Sequence, residues 1–196
     1  DRKFNTWCNY TTRLDTYGCG CQHDCSYCYA KSLLNFRGLW DAKNPRCINV
    51  NKIRKIIKKL PKNKVVKLGG MTDCFQPMEA IMQATHTTIM LLNYYKIQYL
   101  IVTKSDMIAM DEYINIYDKS LAHFQVTITS TNDITSLSYE KAPSTSKRIQ
   151  AIEKLQNYGF DVSVRLSPYI YENIDVSILD GIGCNKILIE FLKVNH

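Results

Sequence analysis

Four cysteines fall within the ten-residue stretch "CGCQHDCSYC", as Cys19, Cys21, Cys25 and Cys28. Cysteine thiolates are ligands for zinc and for iron–sulfur clusters. A tetrahedral zinc site needs four ligands, which this stretch can supply from its cysteines and His23. The triplet Cys21-x-x-x-Cys25-x-x-Cys28 instead offers three thiolates to a [4Fe–4S] cluster, which leaves one iron open to a further ligand. The residue types therefore predict a metal centre, zinc or iron–sulfur, and leave the role of Cys19 open.

The composition limits the class of protein to which this metal centre can belong. At 196 residues the chain is long enough to bury a sizeable core, and we expect a single domain over residues 1–196. Eight cysteines without a visible export signal favour reduced thiols, so we expect the protein in the cytoplasm. No apolar run is long enough to span a bilayer, and we expect no membrane partner.

The net charge of +7 permits a nucleic-acid partner without requiring one. The densest basic segment is "KIRKIIKKLPKNKVVK", from Lys52 to Lys67. Isoleucines recur in it at helical spacing, so the lysines predict mainly the solvated face of a helix.

After the cysteine loop, apolar runs alternate with amphipathic segments. The predicted strands are "TTRLDTY", "KVVKLGGMTD", "IQYLIVTKS", "HFQVTITST", "FDVSVRLSPYI" and "KILIEFLKV". The predicted helices are "NVNKIRKIIKKL", "PMEAIMQATHTTIMLLNYY", "DMIAMDEYINIY", "TSKRIQAIEKLQNYG" and "NIDVSILDGI". This alternation predicts an α/β fold with a parallel sheet. Six strands are too few for a full eight-stranded barrel and favour an open, partial (β/α)6 barrel of the TIM-like kind.

Polar residues and glycines follow several of these predicted strands. They are the cysteine loop and the runs "GGMTD", "TKS", "TST", "SPY" and "LKV". Because the carboxyl ends of parallel strands meet at one edge of the sheet, we expect these runs to share a site.

The cysteine triplet behind a first strand, with Tyr27 inside it, resembles the radical S-adenosylmethionine (SAM) superfamily. The resemblance implies that Cys21, Cys25 and Cys28 hold a [4Fe–4S] cluster whose open iron chelates SAM. It further implies reductive cleavage of SAM to a 5′-deoxyadenosyl radical, with the electron supplied by a reductase or a flavodoxin-type donor.

Further runs are similar to the spore photoproduct lyase-like branch of that superfamily. They are "CSYCYA", "LIVTKS" and "YEKAPSTSKRIQAIEKLQNYGFDVSVRLSPYIYENID". The resemblance implies DNA or RNA as the first candidate substrate, with a peptide or small metabolite as the alternative. A non-catalytic zinc or iron–sulfur binding module is the remaining alternative. In the lyase a hydrogen-donating cysteine stands where this sequence has Gly70, and Cys74, just past Asp73, is the candidate substitute.

The resemblance also assigns residues to the SAM pocket. Glycines allow a ligand to approach the backbone closely, and the pair Gly69 and Gly70 is expected to meet the SAM amino group. Lys104, as a point charge, is expected to hold the SAM carboxylate. The other residues assigned to the pocket are Thr72, Asp73, Thr129, Ser130, Arg165 and Ser167.

Tyr27 and Tyr29 flank the last cysteine of the triplet. We expect their rings to cover the cluster and exclude water, and the resemblance gives them a part in hydrogen transfer together with Cys74. Arg148 is expected either to complete the pocket or to pair with Glu140 as a structural clamp.

Overall fold

The computed structural model describes residues 10–184 and 186–192. Its strands are β1 (Tyr10–Leu14), β2 (Tyr17–Gly18), β3 (Arg46–Cys47), β4 (Val65–Leu68), β5 (Tyr99–Thr103), β6 (Ala122–Ile128), β7 (Val162–Tyr169) and β8 (Ile187–Phe191). Its α-helices are α1 (Tyr29–Asn35), α2 (Val50–Ile57), α3 (Glu79–Met82), α4 (Ala84–Tyr94), α5 (Asp111–Ile114), α6 (Asp133–Tyr139), α7 (Thr145–Asn157) and α8 (Val176–Gly181).

Six strands form one parallel sheet in the order β1-β4-β5-β6-β7-β8. Strands β2 and β3 pair separately as a short antiparallel ribbon beside the cysteine loop. The sheet order follows the chain order, as expected when each crossover helix returns the chain to the next parallel position. Because β1 and β8 stand at the two ends of this order, the barrel is open. The prediction of a partial (β/α)6 barrel is confirmed.

Helix α2 shows how the sequence pattern positions the outer layer. Ile53 and Ile57 are buried in the core, whereas Lys52, Lys55 and Lys58 are exposed. The prediction of a solvated basic face holds for this helix. The exposed lysines at the end of α2 and in the turn after it directly precede strand β4 in the chain. They therefore lie at the amino-terminal end of the strands, opposite the edge where the strand-end runs meet.

The predicted helix over residues 77–95 is divided into α3 and α4. Gln83 separates the two in the left-handed region, with φ +48°. The carboxylate of the buried Glu79 accepts hydrogen bonds from the backbone N–H groups of Thr85 and His86, each at 2.9 Å. This interaction satisfies the first turn of α4 and fixes the break, because the first N–H groups of a helix have no partner within it. This break separates the strand-end run 69–73 and α3 from helix α4.

Other differences are local. The predicted first strand divides into β1 and β2. The predicted helix over 106–117 divides into a short 3-10 turn, Asp106–Ala109, and α5; a second 3-10 turn, Tyr171–Asn173, precedes α8 and overlaps the predicted helix over 173–182 only at its first residue. Helices α1 and α6 and strand β3 were not predicted. Asn132 and Asp175 begin α6 and α8 by accepting backbone N–H groups, which is the usual role of such residues at a helix start. The last two residues of the predicted final strand lie outside the described residues.

A continuous apolar core lies between the sheet and its helices, with Leu68, Ile101, Phe124 and Leu155 among its members. Within the described residues, none of the helices combines the length and the apolar character that crossing a bilayer requires.

Candidate functional site

A pocket at the carboxyl ends of the parallel strands collects most of the residues singled out in the sequence. It is lined on one side by the cysteine loop and on the other by the ends of β4, β5, β7 and β8. Twelve of the predicted site residues line it: Cys21, Cys25, Tyr27, Cys28, Tyr29, Gly69, Gly70, Thr72, Asp73, Lys104, Arg165 and Ser167.

The cysteine loop is held by its own turns and by a distant segment of the chain. Within the loop, Asp24 N–H donates to the Cys21 carbonyl at 3.1 Å, and Cys28 N–H donates to the Cys25 carbonyl at 3.2 Å. Helix α1 begins at Tyr29, immediately after the third thiol. Cys21 and Cys25 are buried, whereas Cys28 is partly exposed. The third thiol therefore lies at the start of a helix, and the loop that carries all three has a hydrogen-bonded backbone.

Cys19 and Gly20 shape the approach to the loop. The Cys19 carbonyl accepts the Asp41 N–H at 2.7 Å. A Cβ atom on Gly20 would lie 1.9 Å from the Asp41 carbonyl oxygen, so only glycine fits there. Cys19 is not among the residues that line the pocket. The structure thus places Cys19 apart from the three cysteines that line the pocket. The sequence alone left the role of Cys19 open.

The spacing of metal-ligating side chains bears on the zinc alternative. Among residues 10–184 and 186–192, no group of three or more His, Cys, Asp or Glu side chains is close enough to ligate one metal ion. A cubane cluster has no such requirement, because each of its cysteines binds a different iron. This geometry gives no support to the zinc alternative.

The environment of two of the thiols disfavours their free thiolate forms. Burial, and after it the charge of Asp73, raises the pKa of Cys21 to about 12. Burial raises the pKa of Cys25 as well. Burial favours the protonated form of such thiols, and metal binding releases their protons. Cysteine thiolates are the usual ligands of iron–sulfur clusters, so the donor set of this loop fits one.

Asp73 fixes the end of β5 against the end of β4. Its carboxylate accepts hydrogen bonds from the Thr103 hydroxyl at 2.6 Å and from the backbone N–H groups of Lys104 and Phe75 at 2.8 and 2.9 Å. The buried His23 lies 3.4 Å from the same carboxylate through Nε2. Burial alone would raise the pKa of Asp73, but His23 and these hydrogen bonds outweigh it and hold the pKa well below its usual range. Asp73 thus orients the backbone that carries Lys104.

The two glycines differ in what they do. Gly69 has φ +79°, and a Cβ there would lie 2.3 Å from the carbonyl oxygen of Val102. The N–H of Gly70 donates to Asp15 at 2.7 Å, and its carbonyl accepts the Tyr29 hydroxyl at 3.0 Å. Gly69 therefore lets β4 turn closely over β5, and Gly70 ties this turn to β1 and to the cysteine loop.

Thr72 lies in the same turn and is buried. Its hydroxyl donates to the carbonyl oxygen of Tyr17 at 2.6 Å, which joins the turn to β2. Thr72 therefore lines the pocket, but the hydrogen of its hydroxyl group is already donated to the Tyr17 carbonyl.

Lys104 brings a cation to the cysteine side of the pocket. Its Nζ lies 5.6 Å from the centre of the Tyr27 ring. Burial lowers the pKa of Lys104, but the acidic groups of Cys25, Glu140 and Asp73 around it more than reverse this, so the pKa is raised. A lysine in this setting remains charged at neutral pH and can bind a carboxylate.

Glu190 is a site residue that the sequence reasoning missed. Its carboxylate forms an ion pair with Arg165 and accepts the Ser167 hydroxyl at 2.9 Å. Burial would raise the pKa of Glu190, but the Arg165 cation outweighs it and lowers the pKa. The signal was a single carboxylate in the otherwise apolar strand β8. Alternation along the strand does not assign Glu190 to the pocket, because its neighbour Phe191, on the other face, lines the pocket too.

Three predicted site residues do not line the pocket: Cys74, Thr129 and Ser130. Cys74 is 1% exposed and belongs to the hydrophobic core, since the chain turns inward directly after Asp73. Strand β6 ends at Ile128, and the hydroxyl beyond it, on Thr129, donates to Glu140 at 3.0 Å. The Ser130 hydroxyl accepts the Asn132 N–H at 3.0 Å. Both hydroxyls thus bind the protein itself, and the expectation that these three residues face the pocket is corrected.

Arg148 is also outside the pocket. It is fully buried and forms an ion pair with Glu140, which is the structural clamp offered as one of its two roles. Its guanidinium further donates to the carbonyls of Pro143 at 2.7 Å and Thr127 at 3.0 Å.

Known structures share this architecture at low sequence identity. SuiB of Streptococcus suis bound to its precursor peptide SuiA superposes with a TM-score of 0.68 and 12% identity, over 94% of this chain and 40% of SuiB. A spore photoproduct lyase mutant with bound AdoMet and a dinucleoside spore photoproduct gives 0.59 and 19%, over 80% of this chain and 45% of the lyase. Native anSMEcpe with bound AdoMet gives 0.66 and 10%, over 92% of this chain and 52% of that protein. These likenesses show the fold.

In sequence, the chain is 26% identical over 171 residues to the uncharacterized protein MJ0683 of Methanocaldococcus jannaschii. The alignment covers 83% of this chain but only 62% of that relative. The model of the radical SAM superfamily matches residues 16–178. A match over this much of the chain shows that the protein belongs to the radical SAM superfamily, and membership implies a [4Fe–4S] cluster and S-adenosylmethionine as its cofactors.

Proposed function

We propose that this protein is a radical SAM enzyme that holds a [4Fe–4S] cluster through Cys21, Cys25 and Cys28 and cleaves SAM reductively. The observation that carries the proposal is that the three thiols, the Gly69–Asp73 turn and Lys104 line one pocket. When bound, the cluster supplies one electron to SAM, which yields methionine and a 5′-deoxyadenosyl radical that abstracts hydrogen from the substrate. A reductase or a flavodoxin-type protein supplies that electron to the cluster.

The residues around the pocket bind and orient SAM. Lys104 offers its ammonium group to the SAM carboxylate, and Asp73 fixes the Lys104 backbone in place. The ring of Tyr27 lies beside that ammonium and, together with the half-exposed Tyr29, covers the cysteine side of the pocket. Shielding of this kind keeps water away from a reactive radical.

The direct test is anaerobic reconstitution with iron and sulfide, followed by SAM and dithionite. We expect a brown protein with broad visible absorption and production of 5′-deoxyadenosine, measured by chromatography. A colourless protein that binds zinc and produces no deoxyadenosine would contradict the proposal.

For the substrate, we propose a nucleic acid first. The positive net charge supports it, as do the exposed rings of Tyr29 and Phe191 in the pocket wall, since bases stack on such rings. The exposed lysines of α2 and the turn after it lie at the other end of the strands. In this proposal these lysines attract the nucleic acid by long-range electrostatics and do not contact the group that reacts.

A peptide or small metabolite is the second candidate, and the polar wall of the pocket favours it. Arg165 and Glu190 bring both signs of charge to that wall, and Lys67 lines it as well. Phe191 and Leu192 add exposed apolar surface beside them. A ligand with both amine and carboxylate groups would exchange partners with the Arg165–Glu190 pair, whereas the Glu190 carboxylate would repel a phosphate backbone.

Deoxyadenosine production separates the two classes. The reconstituted protein is assayed alone, with single- and double-stranded DNA or RNA, and with a peptide and metabolite extract. Stimulation by nucleic acid that fades as salt rises supports the first candidate. Stimulation by the extract alone supports the second and leaves the radical SAM activity in place.

A further inference from the structure

The run "YEKAP", with Arg148 after it, lies against the cysteine loop although it is more than a hundred residues away in sequence. Ser26 N–H donates to the Tyr139 carbonyl at 2.9 Å, and Lys141 N–H donates to the His23 carbonyl at 2.7 Å. These two bonds join the backbone on either side of Glu140 to the loop that carries the thiols. The side chain of Glu140 between them is buried, with 2% exposure.

The carboxylate of Glu140 has different partners on its two oxygens. Oε1 is bound by the Arg148 guanidinium and by the Thr129 hydroxyl, the latter at 3.0 Å. Oε2 accepts the Tyr27 hydroxyl and lies 3.9 Å from the Sγ atom of Cys25. The Arg148 cation is thus held on the side away from the thiol, and the negative end of the ion pair faces Cys25. The Lys104 ammonium interacts with both Cys25 and Glu140, so the carboxylate opposes a cation that by itself would favour negative charge on the sulfur.

A carboxylate in this position influences any charge carried by the Cys25 sulfur. Charges interact strongly where little water intervenes, and the reduction potential of an iron–sulfur cluster depends on nearby charge and hydrogen bonding. Reduction adds a negative charge, which a neighbouring carboxylate opposes. A low potential is what a cluster needs in order to pass an electron to SAM.

We propose that Glu140 is a positioning residue that directs its carboxylate at the Cys25 ligand and thereby holds the potential of the cluster low, while Arg148 and Thr129 keep that carboxylate in place. The inference rests on the proposed function, because it requires the cluster on the three thiols. Glu140 acts through Cys25 and Tyr27 and does not line the pocket.

The test is a redox titration of the reconstituted protein in which electron paramagnetic resonance measures the reduced cluster at each potential. Glu140→Gln removes the charge and is expected to move the midpoint potential to a more positive value. Glu140→Asp keeps the charge at a greater distance and should shift it less. Thr129→Val removes a donor that partly neutralises the carboxylate, so it should move the potential in the negative direction. Glu153→Gln makes the same change at an exposed position of α7 and should have no effect.

An unchanged potential in Glu140→Gln would overturn the inference. Equal shifts in Glu140→Gln and Glu140→Asp would also overturn it, because disturbed packing rather than charge would then be the cause. If Glu140→Gln does not fold, Thr129→Val decides: a negative shift supports the inference, and an unchanged potential rejects it. A wild-type protein that assembles no cluster would refute the proposed function and this inference with it. A wild-type protein that assembles the cluster, with variants whose midpoint potentials equal its own, would refute the inference alone.

Discussion

The carboxylate of Asp73, at the end of one strand, accepts the backbone N–H of Lys104, at the end of the next strand, at 2.8 Å. The same carboxylate accepts the Thr103 hydroxyl at 2.6 Å. A rigid anion therefore determines where the Lys104 ammonium enters the pocket. The glycine turn on one side and the cation on the other are parts of a single hydrogen-bonded unit.

Lys104→Ala is expected to weaken SAM binding while leaving the iron content near that of the wild type, since the ammonium lines the pocket beside Tyr27 and is not a metal ligand. A lost hydrogen bond to a charged group costs about 1.5–3 kcal/mol, or roughly ten- to a hundredfold in affinity. Equilibrium dialysis or calorimetry with SAM on the reconstituted protein measures it. Lys147→Ala, at an exposed position of α7, is the control. An unaltered SAM dissociation constant would remove Lys104 from the site.

Alanine in place of Cys21, Cys25 or Cys28 is expected to abolish the visible absorption and most of the bound iron. Cys19→Ala should retain both, because Cys19 does not line the pocket. Iron analysis and absorption spectra after anaerobic reconstitution provide the comparison. Loss of iron in Cys19→Ala together with its retention in Cys21→Ala would show that the ligands are wrongly assigned.

Gly69→Ala is expected to lower the free energy of unfolding by about 2–5 kcal/mol, from left-handed strain and overpacking together. The physical reason is a φ of +79° and a Cβ placed 2.3 Å from the Val102 carbonyl. Urea denaturation of the cluster-free protein measures it. Gly181→Ala is the matched control, since a Cβ there meets nothing within 4 Å and alanine favours a helix. Equal stability of the two variants would contradict the strain at Gly69.

Asp73 makes the stability of the cluster-free protein depend on pH. Its pKa is depressed in the folded state, so its contribution is complete above the unfolded value of about 3.9 and is lost as pH falls toward the folded value. We expect the wild type to lose this contribution progressively below about pH 4. Asp73→Asn should be less stable at pH 7 and should show a flatter decline with acid. Parallel pH curves for the two proteins, from denaturation at a series of pH values, would count against this role.

The alternation of strands and helices in the sequence was sufficient to predict the open parallel barrel, because buried strands and amphipathic helices each have their own hydrophobic period. It was not sufficient for the break at Gln83. That break depends on the carboxylate of Glu79. This carboxylate accepts a hydrogen bond from the Tyr113 hydroxyl at 2.7 Å, a contact that exists only after the chain has folded. Local propensity contains no information about such a long-range partner.

The sequence by itself predicted the three candidate metal ligands and the edge of the sheet at which they lie, because three cysteines in one loop are neighbours whatever the rest of the chain does. Only the tertiary structure decided which strand-end residues face the pocket. Cys74 turns into the core, Thr129 turns toward Glu140, and Glu190 enters from the last strand to pair with Arg165. The physical reason is that side-chain direction past the end of a strand depends on hydrogen bonds and charge pairs between distant segments, which residue spacing does not encode.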